Sequence, residues 1–275
     1  MAKKVLLLTL IGLIAKSVFL LGATAPLTVP TDPIVETQQS CAQPTGKAVQ
    51  ACRELEQHIL ATTVRIELQS WLVADDESGY NIDNTVSHAT IKDGRYLVTH
   101  NHFSTPLSIR PQDGQTELYA VVTLSDSTGE TFFKGPISDF ELTWEDPETL
   151  VIAYKDDGLF EQLGIDSAEF SDWSSVPLEA GMEVAQVDWD GVETRIDWTT
   201  IQEVDIEDGV PRLVLDDDVM RGASGGGIFW QGTHIANNWL LVQHYGESGA
   251  LTETTKVALN SAPISGEPIQ AIATG

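Results

Sequence analysis

Ser224 stands in the run Gly222-Ala223-Ser224-Gly225-Gly226-Gly227, which leads into the apolar pair Ile228 and Phe229. A serine on a tight glycine-rich turn exposes its hydroxyl, and glycines let the backbone bend so that the amides of Gly222 and Ser224 point at one spot. That spot is where the oxyanion of an acyl-transfer intermediate would form. A second run, Tyr96-Leu97-Val98-Thr99-His100-Asn101-His102-Phe103, is an apolar strand ending in a turn that carries histidines, and His102 precedes Ser224 by 122 residues. A hydroxyl with an imidazole base beside it is the pair that nucleophilic acyl transfer needs, because the hydroxyl attacks poorly until its proton is taken.

Both runs need elements to hold them, and those elements read as strands. After a short helix expected over Ala51 to Leu60, the residues Val64, Ile66 and Leu68 alternate with Arg65, Glu67 and Gln69. Strand-like segments follow at Val86 to Ile91, Tyr96 to Thr99, Leu118 to Leu124, Phe140 to Trp144 and Leu150 to Tyr154, punctuated by turn formers such as Asp93-Gly94. A second set covers Met182 to Trp189, Glu193 to Trp198, Ile201 to Ile206, Arg212 to Leu215, Gly227 to Trp230 and His234 to Val242. Each half therefore holds about six strands, and no long helix or fixed repeat appears. The expectation is an all-β protein of two six-stranded antiparallel β-barrels, the first over 51–155 and the second over 182–260, joined by a connection at 156–181 and followed by a tail at 261–275.

The glycine-rich run formally matches the nucleophile elbow GxSxG of the α/β-hydrolases. That fold requires a helix after the serine and then an acid and a histidine, whereas here a strand follows, only 51 residues remain, and the histidine comes first. A different resemblance holds. The segment "GRYLVTHNHF" is similar to the "G..ILTNNHV" segment of trypsin-like peptidases, and "GASGGGIF" to their "GNSGGPVF" segment. The resemblance covers roughly residues 60 to 245 and points to the prokaryotic-type branch of the chymotrypsin-fold serine peptidases.

The resemblance implies two barrels with a site in the cleft between them, Ser224 as nucleophile, His102 as general base, and an oxyanion hole of the Gly222 and Ser224 amides. His100 falls at a non-catalytic position. The family's third member is an aspartate at the start of a strand, as in "DLALL"; the matching region here is Asp146-Pro147-Glu148-Thr149-Leu150-Val151-Ile152, with no aspartate in register. Glu148 is the favoured occupant, Asp146 the second, and a one-residue shift would put Thr149 there. A carboxylate is wanted because it fixes the imidazole tautomer and stabilises the imidazolium.

The same comparison marks Asp218, six residues before Ser224, as a selector of basic side chains, although it belongs to the acidic run Asp216-Asp217-Asp218. It also marks the strand His234-Ile235-Ala236-Asn237-Asn238, and with it Asn237, as a segment that pairs with a bound peptide. Ala223 replaces the residue that usually precedes the nucleophile, and no IVGG-like start is present, so activation by insertion of a new N-terminus is not expected. The alternative to an active peptidase is an inactive relative that binds peptides or surface partners through the same cleft.

No metal or cofactor is expected. His88, His100 and His102 lack a further pair of ligands at suitable spacing, while His58, His234 and His244 read as structural or surface residues. Trp189 and Trp198, which flank a hairpin, read as packing rather than as a sugar platform.

Composition bounds the remaining possibilities. The 275 residues carry 41 acids against 15 bases, a formal charge of −26, which argues against nucleic acid and anionic lipid as partners. Lys3 and Lys4 precede an apolar stretch from Val5 to Ala15, with Gly22, Ala23 and Ala25 beyond it, so residues 1–25 read as an export signal or, because Lys16 and Pro26 disfavour cleavage, as a membrane anchor. Residues 26–50 are rich in Pro, Thr, Gln and Ala and read as a linker. The only cysteines, Cys41 and Cys52, are expected to form a disulfide in an exported chain. The whole describes a secreted or extracytoplasmic monomer acting on a protein or peptide substrate, with no further domain expected after about residue 260.

Overall fold

The computed structural model describes residues 40–74, 79–101, 115–145, 149–156, 158–207, 210–216, 221–245 and 251–260. A helix α1, Ala48–Ala61, opens the body, three residues earlier than the sequence suggests. Seven strands follow: β1 (Thr63–Ala74), β2 (Gly79–Lys92), β3 (Tyr96–His100), β4 (Gln115–Ser125), β5 (Thr131–Pro136), β6 (Phe140–Glu145) and β7 (Thr149–Tyr154). They form one antiparallel sheet in the order β5-β4-β1-β2-β3-β7-β6. Its outer strands, β5 and β6, are consecutive in the chain and separated only by the 3-10 turn Ile137–Asp139. The turn brings the two edges of the sheet together in the chain, and the sheet curls as a barrel wall. Phe133 of β5 and Phe140 of β6 meet edge to face at 5.6 Å, with Tyr154 of β7 against both.

The second sheet contains β8 (Glu169–Phe170), β9 (Glu183–Trp189), β10 (Thr194–Glu207), β11 (Val210–Leu215), β12 (Gly227–Trp230), β13 (Thr233–Tyr245) and β14 (Leu251–Leu259). Its order is β12-β9-β10-β11-β14-β13-β8, and β12 also pairs with β13, which closes six antiparallel strands into a ring. The two-residue β8 joins outside the ring, parallel to β13. The chain is thus all-β, with two curled antiparallel sheets.

Four strand assignments differ from the sequence pattern, the first being the two-residue β8, which falls within the expected connection at 156–181. The segments expected separately at 193–198 and 201–206 are one strand, β10, whose register shifts between Ile201 and Glu203; a bulge breaks the alternation without ending the strand. β5 escaped notice because its buried and exposed residues do not alternate cleanly. β14, which closes the second ring, lies beyond the last strand expected from pattern.

Alternation explains the cores. Val64, Ile66 and Leu68 of β1 face inward with Ile91, Leu97, Val122, Leu124, Leu150 and Ile152 to fill the first barrel. Val184, Ile201, Leu213, Leu215, Ile228, Ile235 and Val257 fill the second. The connection at 156–181 is itself folded. It contains a short helix α2 (Leu159–Gln162) that plants Phe160 in the first core, and it places Trp173 and Val176 against the second. Helix α1 lies against the second sheet, with Ile59 packed among Ala185, Val187 and Phe229, and Trp198 Nε1 donating to Glu56 Oε1 at 2.7 Å.

The end of the segment read as a linker is also held down. Cys41 and Cys52 are disulfide-bonded with their Cα atoms 5.5 Å apart. The Glu183 carboxylate accepts from the Cys41 N–H at 2.6 Å, the Ser40 hydroxyl at 2.7 Å and the Ala42 N–H at 3.2 Å. Residues 1–25, the stretch read as an export signal or anchor, lie outside the described residues, and so does the tail at 261–275. Among the described residues no helix is long and apolar enough to cross a membrane.

Candidate active site

The turn that carries Ser224 is gripped from both barrels. The Gly226 N–H donates to the Ala223 carbonyl at 2.9 Å, closing the turn on itself. The Gly225 N–H donates to the Asn238 carbonyl at 3.0 Å, and the Asn238 N–H returns to the Gly226 carbonyl at 2.8 Å, which ties the turn to β13. The buried Asn238 amide adds a side-chain brace: Nδ2 donates to the Val187 carbonyl at 2.7 Å and to the Ala223 carbonyl at 3.3 Å, while Oδ1 accepts from Gln186 Nε2 at 2.9 Å.

From the first barrel, the His88 N–H donates to the Ser224 carbonyl at 2.8 Å, and the Ser87 hydroxyl donates to the same oxygen. Thr99 Oγ1 on β3 donates to the His88 carbonyl at 2.6 Å. Gly225, at φ +75°, presses into this group. A Cβ there would lie 2.3 Å from the His88 carbonyl oxygen and 2.3 Å from Thr99 Oγ1, so no side chain fits. Thr99 lies three residues before His102 in the chain, so the serine turn sits on the strand that leads to the expected base.

The carbonyl oxygens of the turn point inward. Gly222, at φ +106°, offers its carbonyl to His88 Nδ1 at 2.8 Å and lies over the Trp189 ring. A carbonyl only accepts, so Nδ1 carries the proton, and Nε2 accepts from Thr194 Oγ1 at 2.9 Å. Burial pushes the His88 imidazole down to about 4, partly offset by the bond to Gly222, so it is neutral near pH 7. Arg65 stacks over Trp189 with its Cζ 4.9 Å from the ring centroid. Next to Trp189, buried Asp188 meets Arg195 Nη2 at 2.9 Å, and Arg195 Nη2 also meets Asp197 at 2.9 Å. Burial raises the Asp197 carboxyl above its ordinary value, Arg195 opposing that and neighbouring Asp188 reinforcing it.

Of the residues marked in the sequence, Ser224, Gly222 and Asn237 are described. His102, Glu148, Asp146 and Asp218 lie outside the described residues. The described chain reaches both sides of the expected pair, since His100 at the end of β3 pairs with Thr149 at the start of β7. His102 therefore follows, and Glu148 precedes, one backbone pair on adjacent strands. Thr149 is buried at that pair.

Asn237 requires a correction. It pairs with Gly227 of β12 on one side and Ala258 of β14 on the other, so both edges of its strand are taken by the barrel's own strands. The residue is 1% exposed and its Oδ1 accepts from His234 Nε2 at 3.1 Å, so it faces the barrel interior and not a substrate. His234 itself is a core residue: it stacks on Phe170 at 4.2 Å and accepts at Nδ1 from Asn260 Nδ2 at 3.0 Å, and burial holds it down to about 3.

His88 and Asn238 are the residues that pattern did not single out for the serine turn. The only trace in the sequence is a polar run, Ser87-His88 with Thr90, at a part of the strand whose apolar neighbours Ala89 and Ile91 belong to the core.

No protein-family model matches the chain, and no curated protein sequence matches it. Solved structures are similar in fold at low identity. The scabies mite inactivated protease paralogue S-I1 is 11% identical over 76% of this chain and 93% of its own, with a TM-score of 0.49. The Rv3671c protease in its inactive form is 13% identical over 77% and 89%, with a TM-score of 0.46. A Ser343Ala mutant of Rv3671c from M. tuberculosis H37Rv, also inactive, is 14% identical over 80% and 92%, with a TM-score of 0.45.

Proposed function

We propose that this protein is an extracytoplasmic serine endopeptidase of trypsin-like, prokaryotic type, in which Ser224 is the nucleophile, His102 the general base and Glu148 the carboxylate that orients it. The observation that carries the reading is the seat of the serine turn: the Ser224 carbonyl is bonded to the His88 N–H, and Gly225 packs against Thr99, on the two strands that run toward His102. A glycine-rich serine loop with no catalytic task has no need of such a fit between two barrels.

In this reading the substrate carbonyl carbon is attacked by Ser224 Oγ while its proton passes to His102. The negative oxygen is held by the Gly222 and Ser224 amides. The C–N bond then breaks, the amine leaves with the proton from His102, and water hydrolyses the acyl-enzyme by the same steps. Asp218 is a candidate for selecting basic side chains before the scissile bond. The substrate is a protein or peptide, the enzyme acts as a monomer, and its first 25 residues export it or tether it to a membrane.

A second reading, an inactive peptide-binding relative, draws support from buried Thr149 opposite His100, where a strand shifted by one residue would offer no carboxylate. A fluorophosphonate probe, which labels activated serines, separates the two. Labelling of the wild type that is lost in Ser224→Ala and in His102→Ala supports the hydrolase; a folded but unlabelled wild type supports the binding module.

A further inference from the structure

We propose that His88 is a positioning residue for acyl transfer, holding the Gly222–Ala223 peptide plane that links the Gly222 and Ser224 amides so that both face the reacting oxygen. The inference rests on the hydrolase reading above and adds to it a residue outside the expected triad.

Three contacts converge from this one residue. Its main-chain N–H holds the Ser224 carbonyl, its Nδ1–H holds the Gly222 carbonyl at 2.8 Å, and its own carbonyl abuts Gly225. Peptide units are planar and trans, so a carbonyl tied in one direction sends the N–H of the same unit in the opposite one. The Ala223 carbonyl is tied inward by the Gly226 N–H and Asn238 Nδ2, which turns the Ser224 N–H outward. The unit before it, the Gly222 carbonyl with the Ala223 N–H, is tied among the described residues only by His88, and it is the link that sets the Gly222 N–H on the preceding plane relative to the Ser224 N–H on the following one. Without that bond, Gly222, at φ +106° and lacking a side chain, is free to rotate its flanking planes. Among the described residues, neither the Gly222 N–H nor the Ser224 N–H donates a hydrogen bond, as an oxyanion hole requires.

The imidazole is itself locked. Thr194 Oγ1 donates to Nε2 at 2.9 Å and so fixes the tautomer that leaves the proton on Nδ1. Trp189 lies 5.9 Å from its ring centroid to centroid. The charged groups that bear on it are Arg65 of β1 and Asp188 of β9, the latter engaged by Arg195 of β10, and burial beside Arg65 keeps the ring neutral.

The test compares His88→Ala with His88→Asn, because an asparagine Nδ2 takes the place of Nδ1–H. Release of p-nitrophenol from p-nitrophenyl acetate is followed at pH 7.5, with kcat expressed per site titrated by the fluorophosphonate probe and thermal unfolding measured in parallel. The expected result is a kcat about 100-fold lower in the alanine variant with KM within about threefold, and recovery to within about tenfold of wild type in the asparagine variant. Wild-type kcat per titrated site in the alanine variant, or equal loss in both variants, would overturn the role of His88 and leave the hydrolase reading intact. If the alanine variant does not fold, the asparagine variant decides alone: recovery supports the role and a loss of 100-fold overturns it. A wild type that the probe does not titrate overturns both.

Discussion

Gly225 and His88 meet so closely that a methyl group on Gly225 would stand 2.3 Å from the His88 carbonyl oxygen. This contact is where the serine turn of the second barrel rests on β2 of the first, and it fixes how far the nucleophile stands from the strand leading to His102. A residue confined by both its conformation and its neighbours is an unusually sensitive place to probe the site.

Gly225→Ala should therefore cost at least about 3 kcal/mol, since the strain of a left-handed alanine adds to a clash with backbone that cannot step aside. Gly191→Ala supplies the contrast: it also has positive φ, but nothing lies within 4 Å of its Cβ position. That variant should lose only about 1–2 kcal/mol. Urea unfolding of the two variants beside wild type checks the difference, and equal losses would mean that the contact at Gly225 carries no energy.

The identity of the orienting carboxylate can be read from kinetics. Glu148→Gln should lower kcat by up to about 10⁴-fold through loss of the imidazole's orientation, while Asp146→Asn stays near wild type. The reverse pattern would move the role to Asp146. If neither variant changes the rate of fluorophosphonate labelling, no carboxylate orients His102, and Thr149 holds the place.

Two buried imidazoles make the fold sensitive to acid. Burial lowers His88 to about 4 and His234 to about 3, both from an ordinary 6.5, so the unfolded chain binds protons that the folded one refuses. Their contribution is complete above about pH 6.5 and is lost as the pH falls through the folded values, on the order of 3 kcal/mol or more for each. Because the chain carries a formal charge of −26, acid also relieves repulsion among its carboxylates. The measurement is thus a difference: the urea midpoint of His234→Gln should be lower than wild type at pH 7 but fall less steeply between pH 6.5 and 4. Parallel slopes would show that His234 takes no part.

Cys41→Ser should destabilise the protein by about 2–3 kcal/mol, since the disulfide closes a loop whose ends are 11 residues apart. Reductant should lower the unfolding temperature of wild type and leave the variant unchanged. The Glu183 contacts to residues 40–42 should keep the segment docked without the bond, so helix content by circular dichroism should persist.

The serine turn was legible before any fold was known, because it is a local run. A serine among glycines and a histidine closing an apolar strand can each be recognised from a few adjacent residues, and their order excludes the competing hydrolase topology. Alternation in β1 was equally clear, since it buries one face against a single core, whereas β3 and β7 are buried on both faces and read as short apolar runs. Where a strand bulges, as β10 does between Ile201 and Glu203, alternation slips and one strand looks like two. Where the second barrel closes, through β12 on β9 and β14 on β11, the partners are distant in sequence and no local pattern announces them.

The all-β class, the serine turn with its glycines, the histidine strand and the one pair of cysteines are properties of neighbouring residues or of composition, and so could be read along the chain. What surrounds them emerges in the folded chain: Asn237 is walled between two strands, β5 and β6 meet at a single 3-10 turn, and His88 reaches across the barrel interface to Gly222. Such contacts join residues 134 positions apart. They are selected by geometry, because a histidine in a strand carries the same local signal whether it faces a core, a solvent surface or the back of an oxyanion turn.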